Sequence, residues 1–361
     1  MSNTLKQLLG QIDLFNEHSR LWGSVLNIGK TEILTRESLS PLAKEIQERG
    51  LKDEKSNLAR YLGVWLTLKN NTWNQHFNKI IAGARRSFQD LRRLGVTPDS
   101  MDVKEIVFLI KTLILPKVYF ATEVITPSKG VLNKINKFLM YMTKKSLGVD
   151  DKLQPLSLLW ELDIPDAQSQ INLNKLRFHH KLMKGQTSVS SLYNPGNYLY
   201  ELNGSTLNEW FPSGTPNAVL FSKWKWSVMI KKEMTRIRKK VLAQSPMIFD
   251  LKPNPDLDEV LLCLNKRWRC ALIRARHGMI DYNDCKCGAT HENSLKFLEE
   301  CDHAPNVVDK IVANRRLINA KPNLKKTKEV DRHMILLGKK FDINPDHRQQ
   351  ILESSAALFM T

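Results

Sequence analysis

No apolar run in the 361-residue sequence approaches the roughly 18–20 residues of a membrane-spanning helix, because Lys111 and Pro116 interrupt the best candidate. The opening Met-Ser-Asn-Thr-Leu-Lys-Gln lacks the apolar core of a secretory signal. Cysteine is scarce and odd in number, five in all with three clustered late, which argues against a disulfide framework and for a reducing compartment. Acidic residues are outnumbered, 37 against 55 Lys plus Arg, so the formal net charge is +18 and the pI about 9.6. That balance calls for a polyanionic partner, nucleic acid ahead of a membrane surface. No internal repeat is visible. An apolar fraction of 42% is that of a folded chain, and the length suggests about two domains.

The stretch from Leu58 to Leu94 carries most of the functional signal. Alternation across it predicts one half-buried strand, with Leu62, Val64, Leu66 and Leu68 on a core face and Tyr61, Gly63, Trp65 and Thr67 on the other. Two aromatics around a glycine would let a ligand backbone approach Gly63 between flat rings; the alternative is that Trp65 simply packs under a helix. After a turn at Asn70-Asn71-Thr72, apolar residues at Trp73, Phe77, Ile80, Ile81, Ala84, Phe88, Leu91 and Leu94 predict a long helix. Its flanks hold two rows of cations, Arg85 with Arg92 and Lys79 with Arg86 and Arg93, diluted only by Asp90. Residues seven apart on a helix stand about 10.5 Å apart, near the distance of a few successive phosphates. The competing interpretation is a solvated basic face.

Elsewhere the periodicity is helical. Residues 3–20 carry Leu5, Leu8, Leu9, Ile12 and Phe15 on one side, and Ser24 to Thr35 reads as two short extended runs around Gly29. A polar helix-forming stretch runs from Pro41 to Lys55. Met101 to Phe120 places Val103, Ile106, Val107, Ile110, Leu113 and Ile114 on one face, and Pro116 must kink or end it. The next helix, Val131 to Met142, leaves Lys134, Lys137, Lys144 and Lys145 outside its core and is capped by Gly148. Another, Asp166 to Lys184, ends in Arg177, His179, His180 and Lys181; its adjacent histidines point about 100° apart and do not share a metal. Residues 185–221 form a linker. Beyond it come a basic helix, Ser222 to Ala243, in which Trp224 and Trp226 alternate with lysines, a second linker at Pro246 to Pro255, and a helix from Leu257 to Gly278 studded with Lys266, Arg267, Arg269, Arg274 and Arg276.

Near the C-terminal end Cys285, Cys287, His291 and Cys301 have the arrangement C-x-C-x3-H-x9-C, with His303 close behind. Three sulfurs and an imidazole make the tetrahedral set that Zn²⁺ favours in closed structural sites. A group of free thiols is the alternative, and four protein ligands would leave no open position for catalysis.

In order, these pieces resemble the downstream part of a non-LTR retrotransposon reverse transcriptase. The matching segments are Val25-Leu26-Asn27-Ile28-Gly29-Lys30-Thr31-Glu32, then Tyr61-Leu62-Gly63-Val64, then the helix with Arg85-Arg86 and Leu91-Arg92-Arg93-Leu94, then Leu113-Ile114-Leu115-Pro116 with Tyr119 to Glu123, then Leu147-Gly148-Val149, and last the cysteine-histidine motif. The resemblance implies a mainly α fold with a small β element (α+β). Its parts would be a partial palm edge (1–70), a thumb-like helical domain (71–184), the linker (185–221) and a basic helical region with a zinc-knuckle-like module (222–361, cluster at 285–303). It further implies binding of RNA and DNA, with Lys30, Tyr61, Leu62, Gly63 and Trp65 near the primer end and Lys79, Arg85, Arg86, Arg92 and Arg93 along the template-primer backbone. The family's metal-binding Asp-Asp turn is not among these residues; the one Asp-Asp pair, Asp150-Asp151, follows a helix cap, so no polymerase activity is expected of this chain alone. In the terminal motif Lys296 stands where a histidine is usual, leaving His291 or His303 as fourth ligand. A truncated element binding the missing polymerase part, a stand-alone or domesticated zinc-containing nucleic-acid binder and a decayed product all remain open. A nuclear or cytoplasmic location, nuclear preferred, follows from the family alone, with Lys231-Lys232 and Arg238-Lys239-Lys240 as a weak import signal.

Overall fold

Among the described residues helices carry nearly all of the regular structure, with one two-stranded antiparallel sheet, so these residues are mainly α with a small β element. The computed structural model describes residues 4–27, 31, 33, 39–51, 58–67, 73–149, 152–153, 156–183, 223–243, 262, 264–277, 349 and 353. Two compact units divide the chain: Met1–Ile80 with Ile125–Val131, and Ile81–Val124 with Leu132–Thr361.

In the first unit, helix α1 (Leu5–Leu21) starts where the Thr4 hydroxyl accepts a hydrogen bond from the Gln7 N–H. Leu9 on α1 buries against Ile33, Leu39, Ile46 and Leu51, with Leu8, Ile12 and Leu42 around them. Phe15, expected on the same face, is exposed instead, one turn beyond the reach of this small core. A short 3₁₀ turn leads into α2 (Ala43–Glu48), and Arg49 after it holds Asp13 of α1 by a two-pronged contact of 2.8 and 2.7 Å. That fork holds the Asp13 carboxyl below the usual carboxylate range. Of the two extended runs expected between Ser24 and Thr35, residues 24–27, 31 and 33 are described and form no strand, and the others lie outside the described residues.

The expected single strand is a hairpin. Strands β1 (Ala59–Tyr61) and β2 (Val64–Leu66) pair through Tyr61 with Val64, Arg60 with Trp65 and Ala59 with Leu66. Leu62 and Gly63 between them both have positive φ, 47° and 86°, the twist that a two-residue turn needs to match right-twisted strands. Leu62 therefore sits at a hairpin tip, 80% exposed, rather than on a core face.

Helix α3 (Asn74–Arg93) buries Phe77, Ile81, Ala84 and Phe88, the face its periodicity predicts. Leu94, at the end of that series, is exposed, because Gly95 N–H to Arg92 O and Val96 N–H to Leu91 O have already closed the helix.

In the second unit, α4 (Val103–Leu109) continues through a π-helical turn at Ile110–Ile114 into α5 (Leu115–Val118). Pro116 neither ends nor breaks this run. The wide turn, in which the Leu115 N–H reaches back to Ile110 O, relieves the clash its ring would make with the carbonyl four residues earlier. The same change of pitch rotates Leu113 out to solvent while Ile110, Ile114 and Val118 stay buried.

Helix α6 (Lys129–Leu147) supplies Ile135, Phe138, Leu139 and Met142 to the core, and Gly148 at φ 73° closes it. The short α7 (Leu158–Glu161) is buried throughout. Helix α8 (Ala167–Met183) starts with the Asp166 carboxylate accepting from Ser169 N–H, and its Leu176 packs against Ile230 and Met234 of α9 (Lys223–Leu242). Helix α10 (Lys266–Arg276) is capped by Asn265. Its Lys266 chain lies over Gly148, where a Cβ would meet it at 3.0–3.2 Å. The linkers at 185–221 and 246–255 lie outside the described residues.

Candidate nucleic-acid interface

Hairpin register decides what Trp65 can do. Cross-strand partners share a face and sequence neighbours alternate, so Trp65 stands beside Arg60, whereas Tyr61 belongs to the opposite face with Val64. The expected pair of rings flanking Gly63 does not form. Instead Trp65, half-buried, has two cations over its ring, Arg60 at 5.8 Å and Lys79 of α3 at 5.4 Å. Such contacts are worth about 0.5–1 kcal/mol each at accessible sites.

The two-residue turn makes Tyr61 and Val64 the hydrogen-bonded closing pair, so the next pair leaves the Trp65 N–H without a ladder partner. His76 Nδ1 accepts that N–H at 3.2 Å from a fully buried position on α3. An accepting Nδ1 puts the proton of the neutral imidazole on Nε2. Arg60 and His76 escaped the sequence reading because both roles depend on the turn. At the tip, Tyr61 is 64% exposed beside Leu62.

The two rows of α3 are not equivalent. In one row, Arg85 is exposed with its guanidinium 6.0 Å from the Phe138 ring, but Arg92 is half-buried with its Nε shielded from water and without a hydrogen-bond partner among the described residues. In the other, Lys79, Arg86 and Arg93 are all exposed. Arg93 meets Asp90 at 3.3 Å, an exposed pair one turn apart that contributes little and yields readily to a competing anion. The row best placed to meet a polyanion is therefore Lys79, Arg86 and Arg93.

Of the five cations expected on the basic helix near the C-terminal end, Lys266, Arg267 and Arg274 are exposed and two, Arg269 and Arg276, are structural. Arg269 is buried and donates from Nε to Leu147 O at 3.1 Å and from Nη1 to the carbonyls of Leu262 and Leu264 at 3.1 and 2.9 Å. Those bonds satisfy the end of α6 and fasten α10 to it. The Cys270 thiol, pushed up by burial, donates to Gly148 O. Arg276 is buried against Glu161 of α7 at 3.1 Å, and Lys266 meets Asp99 at 3.0 Å. Lys144 of α6, expected outside the core, is also buried. A long aliphatic stem allows a cation to be taken inward when partners exist, so basic residues on a periodic helix do not by themselves mark a surface.

Lys30, Cys285, Cys287, His291, Cys301 and His303 lie outside the described residues, as do the side chains of Trp224 and Trp226. Among the described residues no three His, Cys, Asp or Glu side chains gather as a metal site, and no helix is long and apolar enough to cross a membrane. No protein-family model, curated protein or solved structure matches the chain.

Proposed function

We propose that the chain binds nucleic acid through its phosphate backbone, with α3 as the track. On the resemblance set out above, it corresponds to the palm edge, thumb and cysteine-histidine region of a non-LTR retrotransposon reverse transcriptase. The observation that carries this reading is the exposed row Lys79, Arg86 and Arg93 on an unbroken twenty-residue helix whose other face is fixed in the core. Support also comes from the net charge of +18. The hairpin tip at Tyr61 and Leu62 would meet the primer end. A structural zinc on Cys285, Cys287, Cys301 and His291 belongs to the same reading, and so does a nuclear site of action. Arg238 adds little to an import signal, since it is half-buried and 3.5 Å from Asp163.

Binding is tested by fluorescence titration of a single-stranded RNA and an RNA–DNA duplex across a salt series. A steep, sequence-independent salt dependence is expected. In primer extension on an RNA template with Mg²⁺ or Mn²⁺, this chain should add no nucleotide, because the segments that resemble the family do not include its metal-binding Asp-Asp turn; extension above a heat-killed control contradicts the assignment.

A further inference from the structure

We propose that an open cleft of about 620 Å³ in the second unit, lined by α5 and the turn after it, α8 and Arg238 of α9, binds a nucleoside monophosphate, free or as the end of a strand. The volume is that of a small-ligand site. It uses none of the α3 residues and does not rest on their role.

Charge selects the ligand's sign. Four cations line the space, Lys111, Arg177, Lys181 and Arg238, against two carboxylates, Glu123 and Asp163, a net charge of +2. Lys111 and Arg238 are already committed, both to Asp163, at 3.0 and 3.5 Å. Arg177 and Lys181 are not: one turn apart on α8, both are exposed and neither has an ion pair among the described residues. A planar fork and a mobile ammonium side by side are the usual receptor for a phosphate dianion. The excess positive charge disfavours a metal ion, and the charged rim disfavours a wholly apolar guest.

Ring and amide groups complete the wall. Phe120, exposed, and Phe178, half-buried, offer flat apolar surface on which a base can stack. Beside them the polar groups are tied in a relay: Gln170 donates to Asn174 at 2.9 Å, Asn174 to the Thr122 hydroxyl at 2.9 Å, and Thr122 to Tyr119 O at 2.8 Å. The relay leaves the Gln170 amide oxygen as an acceptor for a base edge.

A second, independent sign comes from the backbone. Three non-glycine residues among those described have positive φ; Leu62 belongs to the hairpin turn, and Asp163 at 50° closes α7, its N–H on Trp160 O at 3.2 Å and the Ile164 N–H on Leu159 O at 3.0 Å, which leaves Ala121 at 64°, in the wall of this cavity, without a cap to account for it. Such conformations persist only where the surroundings over-determine them, and they concentrate at ligand sites. Beside it Tyr119 buries its hydroxyl without a hydrogen-bond partner among the described residues, an unmet polar group at the same wall.

The test is calorimetric titration of the full chain with AMP, adenosine and inorganic phosphate, and with an eight-nucleotide strand bearing either a 5′-phosphate or a 5′-hydroxyl. AMP should bind at one site per chain, at least tenfold tighter than either adenosine or phosphate. Arg177→Gln and Lys181→Gln should each weaken it about tenfold or more, as expected for loss of a charge-assisted hydrogen bond. If the end of a strand is the natural ligand, the 5′-phosphorylated strand binds at least tenfold tighter than its hydroxyl counterpart and depends on Arg177. If the free nucleotide is the ligand, the two strands bind alike. AMP no tighter than phosphate to the wild-type chain overturns the proposal without recourse to any variant, as do folded variants that bind AMP like wild type. AMP binding is read with no strand present, so its failure leaves the α3 reading standing, and the reverse.

Discussion

Arg276 separates a structural cation from a functional one. It lies on α10 among residues that read as a basic surface, yet it is 2% exposed and pairs at 3.1 Å with Glu161, itself 1% exposed. Replacing it by Met removes the guanidinium and leaves the carboxylate in the core. Breaking one side of a buried pair costs about 3–5 kcal/mol. His277 stays within 3.8 Å of the same carboxylate and is itself held by the Ser157 hydroxyl at 3.1 Å, which places the expected loss at the lower end. For a cooperative unit of this size each kcal/mol moves the melting temperature by roughly 2–4 °C, so Arg276→Met should lower it by about 6–12 °C. Adding Glu161→Gln should restore part of that loss, because the orphaned charge is gone. Thermal melts of the single and double variants, with strand binding measured alongside, decide the matter. A melting temperature within about 2 °C of wild type together with weakened strand binding would show that Arg276 works at the surface and that the buried assignment is mistaken.

His179, buried on α8, is pushed down to about 4 by burial and then by His180. The unfolded chain takes up this proton from about pH 6.5 downward and the folded one does not, so stability falls as pH drops from about 6.5 to about 4 and is unaffected above. At about 1.4 kcal/mol per pH unit the loss reaches up to ~3 kcal/mol, and His179→Gln should flatten denaturant-derived stability over that window. Chain purified under reducing conditions should carry one zinc, and Cys285→Ser should lose it by elemental analysis; equal trace metal in both would reduce the cluster to thiols.

What could be seen from sequence was local. The buried face Phe77, Ile81, Ala84 and Phe88 follows from a 3.6-residue period that one helix fully displays, and the closure of α6 at Gly148 follows from a residue type suited to φ of 73°. The hairpin was hidden because Tyr-Leu-Gly-Val-Trp-Leu alternates equally well as one strand or as two about a Leu-Gly turn, and Leu-Gly is not the Asn-Gly pair that announces such a turn. With the turn unseen, neither the Arg60–Trp65–Lys79 stack nor the bond from Trp65 to His76 could be drawn. Burial of Arg269 and Arg276 was hidden for another reason: their partners, Leu147 and Glu161, lie 122 and 115 residues away. The cavity is assembled from positions scattered between Lys111 and Arg238, with no spacing of its own.

The central claim, that α3 follows phosphates with its exposed row, is tested most directly by the salt slope of strand affinity in Arg86→Ala with Arg93→Ala. Each lost phosphate contact lowers the logarithmic slope by about 0.7 on single strands and about 0.9 on duplex, so the double variant should lose roughly 1.4–1.8. Extrapolated from 1 M to 0.15 M salt, that is about 15- to 30-fold in affinity, equally for all sequences. Both side chains are exposed, so the melting temperature should not move. A slope and an affinity that stay at the wild-type values would contradict the claim and take the interface away from α3.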